Sequence, residues 1–439
     1  MAQTPNVAIV LCDTLRRDVL DVYGGPVSTA RLLRALGENT VTYLGYSNSF
    51  WTVPSHFSLF TGMPVGKHGL HEAPDMNRVR DVMELGSQYS GTTLAWELRK
   101  LGYDTTGISN NILVSRLSGL DRGFKTFITN SSWVLDAPNI AYHEQELLEE
   151  LAARYRGGLR HLRAFLGLAR ENGLGEALST ARLYARVSLL RAVSPFIADK
   201  GHVDAIDAAR WLLGPEPFFL FINLMEAHEP YYFGDPNQIL LLLKDRSKSV
   251  LRARRKIGEQ LKGYLRATQI CVMAAAAIAR LIREKGLLQR TLFILTSDHG
   301  QEFMEHGALG HDSGHLYEED VGVPIIVKPP EGLKLSPSGC YVGLHELYNL
   351  ALSAASGEKE WTPSCGPGLA ESYDGVFPDP EAGKGVRRVA VFEGDRKVAY
   401  RLDGGDWLVE EVVVGGRRLD PRSGETKKIA EELAPALPR

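Results

Sequence analysis

Two short stretches carry the residue types that hold a divalent metal ion. Asp13, in IVLCDTLRRD, directly follows an apolar run, and the pair Asp298-His299, in LFILTSDHGQE, follows another. Two carboxylates and an imidazole supply three of the four ligands of a tetrahedral site. Thr52, in SFWTVPSHFSLFTG, is the candidate fourth. Pro54, two residues on, favours the first turn of a helix, so Thr52 stands near a helix N-terminus, where backbone N–H groups and the dipole stabilise an anion. A threonine hydroxyl is a poor nucleophile near neutral pH; metal coordination beside such a terminus lowers its pKa and makes the alkoxide available. Each feature alone has an ordinary explanation, since an Asp after a strand caps helices and a Thr before a helical Pro is a common N-cap. Their joint occurrence points to a metal-assisted hydroxyl nucleophile. Two aspartates, a histidine and a hydroxyl suit zinc or manganese, and suit calcium less.

Short buried runs at Val7 to Cys12, Asp104 to Ile108, Phe218 to Leu224, Thr291 to Thr296 and Val323 to Val327 read as parallel strands. Helical patterns lie between them, at Thr92 to Tyr103, Val203 to Leu213 and Ile257 to Lys285. The alternation predicts an α/β fold, a three-layer sandwich around a mainly parallel β-sheet. In such sheets ligands bind beyond the carboxyl ends of the strands, which is where Asp13 and Asp298 fall. An Arg-rich helical insertion is expected over about 140–200, and a second basic run spans Lys244 to Lys256; both read first as solvated helix faces. The catalytic body is assigned to 1–339. From 340 to 439 Gly, Pro and alternating strands predict a small C-terminal antiparallel α+β subdomain ending in a helix.

With 44% hydrophobic residues and a net charge of −3 over 439 residues, the chain can fill a large core. It has no global charge for nucleic acid or anionic membranes and no nucleic-acid-binding motif. The apolar run near the N-terminus is too short for a signal peptide or a span, and no transmembrane segment is read. Cys12, Cys271, Cys340 and Cys365 lack metal spacing, so a reducing, cytoplasmic setting is expected, with a Cys340 to Cys365 bridge as the alternative. Oligomeric state is not legible.

Five blocks in order, NVAIVLCDTLRRDVLDVYGG, SFWTVPSHFSLFTGMPVGKHG, LGYDTTGISNN, NLMEAHEPY and TSDHGQEFMEHGALGHDSGHLYEEDVGVPIIVKPP, resemble the motif blocks of the sulfatase branch of the alkaline phosphatase superfamily. The closing RRLDPRSGETKKIAEEL is similar to the segment that ends many of those enzymes. The resemblance implies a hydrolase of a small anionic ester, with metal on Asp13, Asp298 and His299 and a nucleophile at Thr52. It places His228 where a relative's histidine contacts the transferred group or protonates the leaving oxygen. His311 falls near a residue that binds the substrate anion, with His306 and His315 as competitors; Asn110 and Asn111 are further substrate candidates.

The pattern also breaks. Sulfatases of this branch oxidise a cysteine or serine to formylglycine within a Cys-x-Pro-Ser-Arg signature, whereas the aligned residues are Thr52, Val53, Pro54, Ser55 and His56. Threonine cannot give the aldehyde, because its carbinol carbon bears a methyl group. A Gly-Lys pair becomes Ser109-Asn110, and Asp-Asn becomes Asp298-His299. These departures resemble the phosphodiesterase, nucleotide pyrophosphatase, phosphoethanolamine transferase and lipoteichoic-acid synthase relatives, which act at phosphorus. Glu226-Ala227-His228 lacks the spacing of a second-metal pair, so one metal ion and a phosphodiester or phosphonate monoester are expected. The alternatives are a sulfate-ester hydrolase using unmodified Thr52 and a non-catalytic anion-binding member.

Overall fold

The computed structural model describes residues 4–71, 78–130, 170, 200–229, 231, 257–311, 313–373 and 386–438. Strands β1 (Asn6–Cys12), β2 (Val41–Tyr46), β3 (Asp104–Ser109), β4 (Thr126–Thr129), β5 (Phe218–Leu224) and β6 (Thr291–Thr296) form the frame of an eight-stranded sheet. Its order is Tyr341–Gly343, β2, Gly322–Lys328, β6, β1, β5, β3, β4. β1 lies at the centre because all seven of its residues are apolar or fully buried, which suits a strand covered on both faces. One expectation is corrected: Gly322–Lys328 runs antiparallel to both neighbours, so the sheet is mixed. The chain returns from β6 through the loop 297–317 and one short helical turn, with no crossover helix to restore direction.

Alternation along β1 builds the two helical layers. Val7, Ile9 and Leu11 share a core with Phe57 of α2 (Thr52–Thr61), with Leu94 and Leu98 of helix Leu94–Lys100, and with Leu347 and Leu350 of helix Glu346–Ala355. Cys12 faces the other way and meets Cys271 of helix Ile257–Glu284. That long helix packs on α1 (Ala30–Leu36), on His202–Leu212 and on β1. Its Gln260–Glu284 part is long and apolar enough to cross a membrane, and most of it is buried inside the protein.

The C-terminal part is antiparallel, with strands Gly368–Ser372, Arg388–Glu393, Arg396–Asp403, Asp406–Val414 and Arg417–Arg418 in that order. Val389, Val391, Val398, Tyr400 and Val412 meet Ile429, Ala430 and Leu433 of helix Gly424–Leu433 on one face. Ala390, Phe392 and Ala399, on the other face, join the main core. The change of character comes later than residue 340, because Tyr341–Gly343 is a strand of the main sheet and Glu346–Ala355 packs on α2. The described residues up to Thr129, from His202 to Tyr231 and from Ile257 onward form one compact unit. The Arg-rich insertion and the basic run up to Lys256 lie outside the described residues, bar isolated positions.

Cys340 and Cys365 are bonded, so the alternative reading of the cysteines holds, and Cys12 and Cys271 are buried thiols. A bridge of this kind persists in oxidising surroundings, so the cysteine content no longer argues for a reducing compartment.

A charge network, buried apart from Arg418 and Glu318, ties the C-terminal sheet to the body. Arg17 pairs with Glu318; Lys397 holds Glu411 at 2.6 Å; Arg418 holds Glu319 at 2.8 Å and Glu411 at 2.6 Å. Burial alone would raise the Glu319 pKa, but hydrogen bonding to His306 and the charge of Arg418 outweigh it and lower it from 4.5 to about 2. A depressed carboxyl contributes stability above its unfolded pKa and loses it as pH falls towards the folded one. Between pH 4.5 and about 2 the wild-type unfolding midpoint should therefore fall more steeply than that of Glu319→Gln. Equal slopes in a thermal melt series would show that Glu319 carries no such linkage.

Candidate metal and nucleophile site

The carboxyl ends of β1, β5 and β6 are level, with Leu11 opposite Thr296 and Cys12 opposite Leu224. The next residues therefore emerge side by side. The Asp13 N–H continues the ladder to Leu224 O at 2.9 Å, and Thr14 then turns the chain in a left-handed conformation, φ 57°. That conformation is costly for a β-branched residue and persists because Thr14 is tied at both ends. Its N–H donates to Asp298 Oδ1 at 3.2 Å and its hydroxyl to Ala227 O at 2.7 Å. Ser297 braces the partner turn, accepting from Leu15 N–H at 2.8 Å and donating to His299 O at 2.7 Å.

His299 is fixed as one tautomer. Its Nδ1–H donates to Gly300 O at 2.9 Å, leaving the Nε2 lone pair for the site. Around Nε2 stand Asp298 Oδ2 at 3.4 Å, Thr52 Oγ1 at 3.5 Å and Asp13 Oδ1 at 3.9 Å. Asp13, Asp298 and His299 are fully buried, and one ligand atom from each lies within 4.8 Å of the others. Asp13 Oδ1 and Asp298 Oδ2 have no hydrogen-bond partner. Two orphaned carboxylate oxygens facing an imidazole lone pair and a hydroxyl fit a divalent cation and fit little else, because buried charge needs a partner.

Charge on the residues agrees. Burial, then the Asp298 charge, raises the Asp13 pKa. Burial raises Asp298 to about 6, against the N–H groups of Thr14 and His299 that pull it down. Burial lowers His299 to about 4, so its imidazole is neutral near pH 7, as a ligand must be.

Thr52 is the first residue of α2, preceded by Trp51 in extended conformation, as Pro54 predicts. The helix is buried along its length and packs on Glu346–Ala355 and Leu94–Lys100, which fixes its N-terminus against the strand ends. His56, one turn on, donates from Nδ1 to Thr52 O at 2.8 Å and accepts from Asn223 Nδ2 at 3.2 Å. The same Nδ1 lies 3.7 Å from Asp298 Oδ2, and burial lowers this imidazole to about 4. Sequence reasoning marked His56 only as a missing arginine. Its place one helical turn after Thr52 was the available signal.

Asn111, expected among the substrate contacts, sits behind Asp13. Its Nδ2 donates to Asp13 Oδ2 at 2.8 Å and its Oδ1 accepts from Leu113 N–H at 2.8 Å, so both ends of the amide are engaged. Asn110 is buried beside it, its N–H on Asn223 O at 3.1 Å. Asn111→Ala should weaken divalent-metal affinity by about 10–100-fold, the usual cost of losing a group that orients a ligand. An unchanged affinity in a Zn²⁺ or Mn²⁺ titration would remove that role.

Of the competing histidines, the structure brings His311 to the site. Its ring centroid is 4.4 Å from that of His299 and 5.3 Å from that of His228. Burial, then His299 and His228, lowers its pKa far below the usual value, so it is neutral. His228 is half-buried in the turn after β5, with Nδ1–H on Glu229 O at 2.8 Å. His306 and His315 are held elsewhere, by Glu319 at 3.0 Å and by Glu302 at 2.6 Å.

Several solved structures share the fold. A 2-O GAG sulfatase (BT1596) is 14% identical, with 99% of this chain and 91% of that one covered and a TM-score of 0.60. The phosphonate monoester hydrolase of Agrobacterium radiobacter is 14% identical, with 98% and 94% covered and a TM-score of 0.55. A putative sulfatase from Bacteroides thetaiotaomicron is 14% identical, with 99% and 91% covered and a TM-score of 0.55. At such identities these likenesses are of fold. No curated protein matches the chain. The pattern of the sulfatase family matches residues 5–355. Since that span runs from β1 through helix Glu346–Ala355 and takes in every strand end described above, the chain belongs to the sulfatase family of the alkaline phosphatase superfamily, a family of ester hydrolases.

Proposed function

We propose that this protein is a metal-dependent hydrolase that cleaves a phosphodiester or phosphonate monoester through a covalent ester on Thr52. The observation that carries the reading is the Thr52 hydroxyl at the head of α2, 3.5 Å from His299 Nε2 and beside two orphaned carboxylate oxygens. Threonine in the place of the oxidised cysteine favours phosphorus over sulfur, and a phosphonate monoester hydrolase shares the fold. Asp13, Asp298 and His299 would hold the cation, of the zinc or manganese class, with calcium a lesser fit. Bound there, it supplies positive charge that lowers the hydroxyl pKa and offsets charge on the transferred group.

The chain's own residues then divide the work. Thr52 loses its hydroxyl proton to solvent, its Oγ forms the bond to phosphorus as the bond to the leaving oxygen breaks, and His228 gives that oxygen a proton. The free N–H groups of the first turn of α2 face the transferred anion, and His311 borders it on the other side. Water then attacks phosphorus as the bond to Thr52 Oγ breaks, one water proton returns to His228, and Thr52 Oγ regains its proton from solvent. His56 and Asn111 position Thr52 and Asp13 and touch no reacting atom.

A second reading, a sulfate-ester hydrolase using unmodified Thr52, is favoured by the family pattern itself. The test is a rate comparison on metal-stripped protein with Zn²⁺, Mn²⁺ or Ca²⁺ restored singly. Nitrophenyl phosphodiester, phosphonate, phosphomonoester and sulfate are the substrates. Dominant turnover of diester or phosphonate supports the first reading; dominant turnover of sulfate supports the second. No turnover with any metal supports an anion-binding protein.

A further inference from the structure

Another group of ligand atoms lies outside this site. Glu302, His315 and Asp320 each bring one such atom to within 4.8 Å of the others. Glu302 and Asp320 are fully buried, and the His315 side chain is 17% exposed. Both carboxylate oxygens of Asp320 and Oε2 of Glu302 have no hydrogen-bond partner. The other Glu302 oxygen faces His315 Nδ1 at 2.6 Å and the Ser313 hydroxyl at 3.3 Å. Three unsatisfied oxygens on two fully buried carboxyls carry a large desolvation cost.

The neighbouring network shows how this chain treats buried acids elsewhere. In the group His306, Glu319 and Glu411, Arg418 bonds both oxygens of Glu319 and pairs with Glu411, and Lys397 holds Glu411. Lys397 is the cation whose charge reaches Asp320, yet its ammonium is engaged by Glu411 at 2.6 Å and Glu318 at 3.5 Å. No described basic side chain bonds Asp320.

We propose that Glu302, His315 and Asp320 bind a divalent cation of the zinc or manganese class, separate from the one assigned to Asp13, Asp298 and His299. Two carboxylates and an imidazole are hard and borderline donors that suit those ions, and the orphaned oxygens are the acceptors the ion would satisfy. Its place in the fold gives it a task. Glu302 follows His299 by three residues, His315 follows His311 by four, and Asp320 lies in the helical turn Glu318–Val321 that leads into strand Gly322–Lys328. The backbones are already in register: Gly300 N–H donates to Asp320 O at 2.6 Å and Gln301 N–H to Glu319 O at 2.7 Å. Gly300 is required there, since a Cβ would lie 2.0 Å from Glu319 O. The ion clips these segments together and so holds the loops that carry His299 and His311, while taking no part in the reaction. The competing occupant is a proton held between the two acids, because burial, then the Glu302 charge, drives the Asp320 pKa far up.

The test counts metal. Chelator-stripped protein is reloaded with excess Zn²⁺ or Mn²⁺ alone, desalted and assayed by elemental analysis. Wild type should retain two ions per chain, one for each group. Asp13→Asn should retain one, and Asp320→Asn and His315→Gln should also retain one. Added Zn²⁺ should raise the unfolding midpoint of Asp13→Asn and leave that of Asp13→Asn/His315→Gln unmoved. His315→Gln changes a half-buried side chain and carries the test if Asp320→Asn does not fold. The proposal is overturned if His315→Gln binds as much metal as wild type. It is also overturned if wild type holds a single ion that Asp13→Asn removes, in which case the first site stands and the acids share a proton.

Discussion

Thr52→Ala should lower turnover of every ester substrate by roughly 10⁴-fold or more, the scale on which an enzyme loses its nucleophile. The fold should survive. Thr52 is buried and its hydroxyl approaches His299 Nε2 at 3.5 Å, whereas the bond that shapes the helix, His56 to Thr52 O, uses the backbone and stays. Thr52→Ser keeps the hydroxyl and should keep measurable activity. Intact-mass analysis of wild type quenched with diester or phosphonate should show the added mass of the substrate less its leaving alcohol, absent in Thr52→Ala. A Thr52→Ala protein with a few per cent of wild-type activity would mean that water attacks the ester directly and that Thr52 only binds.

Asp298→Asn should remove the cation of the first site and with it several kcal/mol of transition-state stabilisation, roughly a 10³-fold loss in turnover. The amide can still accept the Thr14 and His299 N–H groups on Oδ1. It puts a donor, or a neutral oxygen, where Oδ2 now faces His299 Nε2 at 3.4 Å. Stability should move the other way. In metal-free wild type the Asp298 pKa is raised from 3.8 to about 6, so its carboxyl favours the folded state when protonated and costs stability as pH rises through that window. Metal-free wild type should lose stability from pH 3.8 to about 6 relative to Asp298→Asn, and added Zn²⁺ should raise the unfolding midpoint further in wild type than in Asp298→Asn, which lacks the first site. An Asp298→Asn protein that binds Zn²⁺ like wild type would refute the assignment.

Strands β1, β5 and β6 were legible because a strand buried on both faces has to be a run of apolar residues, and the long helix because its apolar positions recur over seven turns. β2 was not read: VTYLGY mixes exposed and buried positions and has no clean period. The reversed direction of Gly322–Lys328 is invisible to any local pattern, since a strand's composition does not record which way it runs. In the site, residues that follow strands directly were found, because topology alone makes them converge. Asn111 and His56 act on another residue's orientation, and that depends on bonds between segments far apart in sequence, Asn111 to Asp13 at 2.8 Å and Asn223 to His56 at 3.2 Å.

The order of strands also sets a timetable for synthesis. β1 pairs with β5 and β6 and with no strand between them in sequence, so its partners are made only after residue 218. At ribosomal rates of roughly 5–20 residues per second, a strand apolar at every position after Asn6 waits about 10–40 s for its first neighbour. Through that interval Asp13 is an ordinary solvated acid beside a sticky segment, and the burial that gives it a use arrives with the second half of the chain.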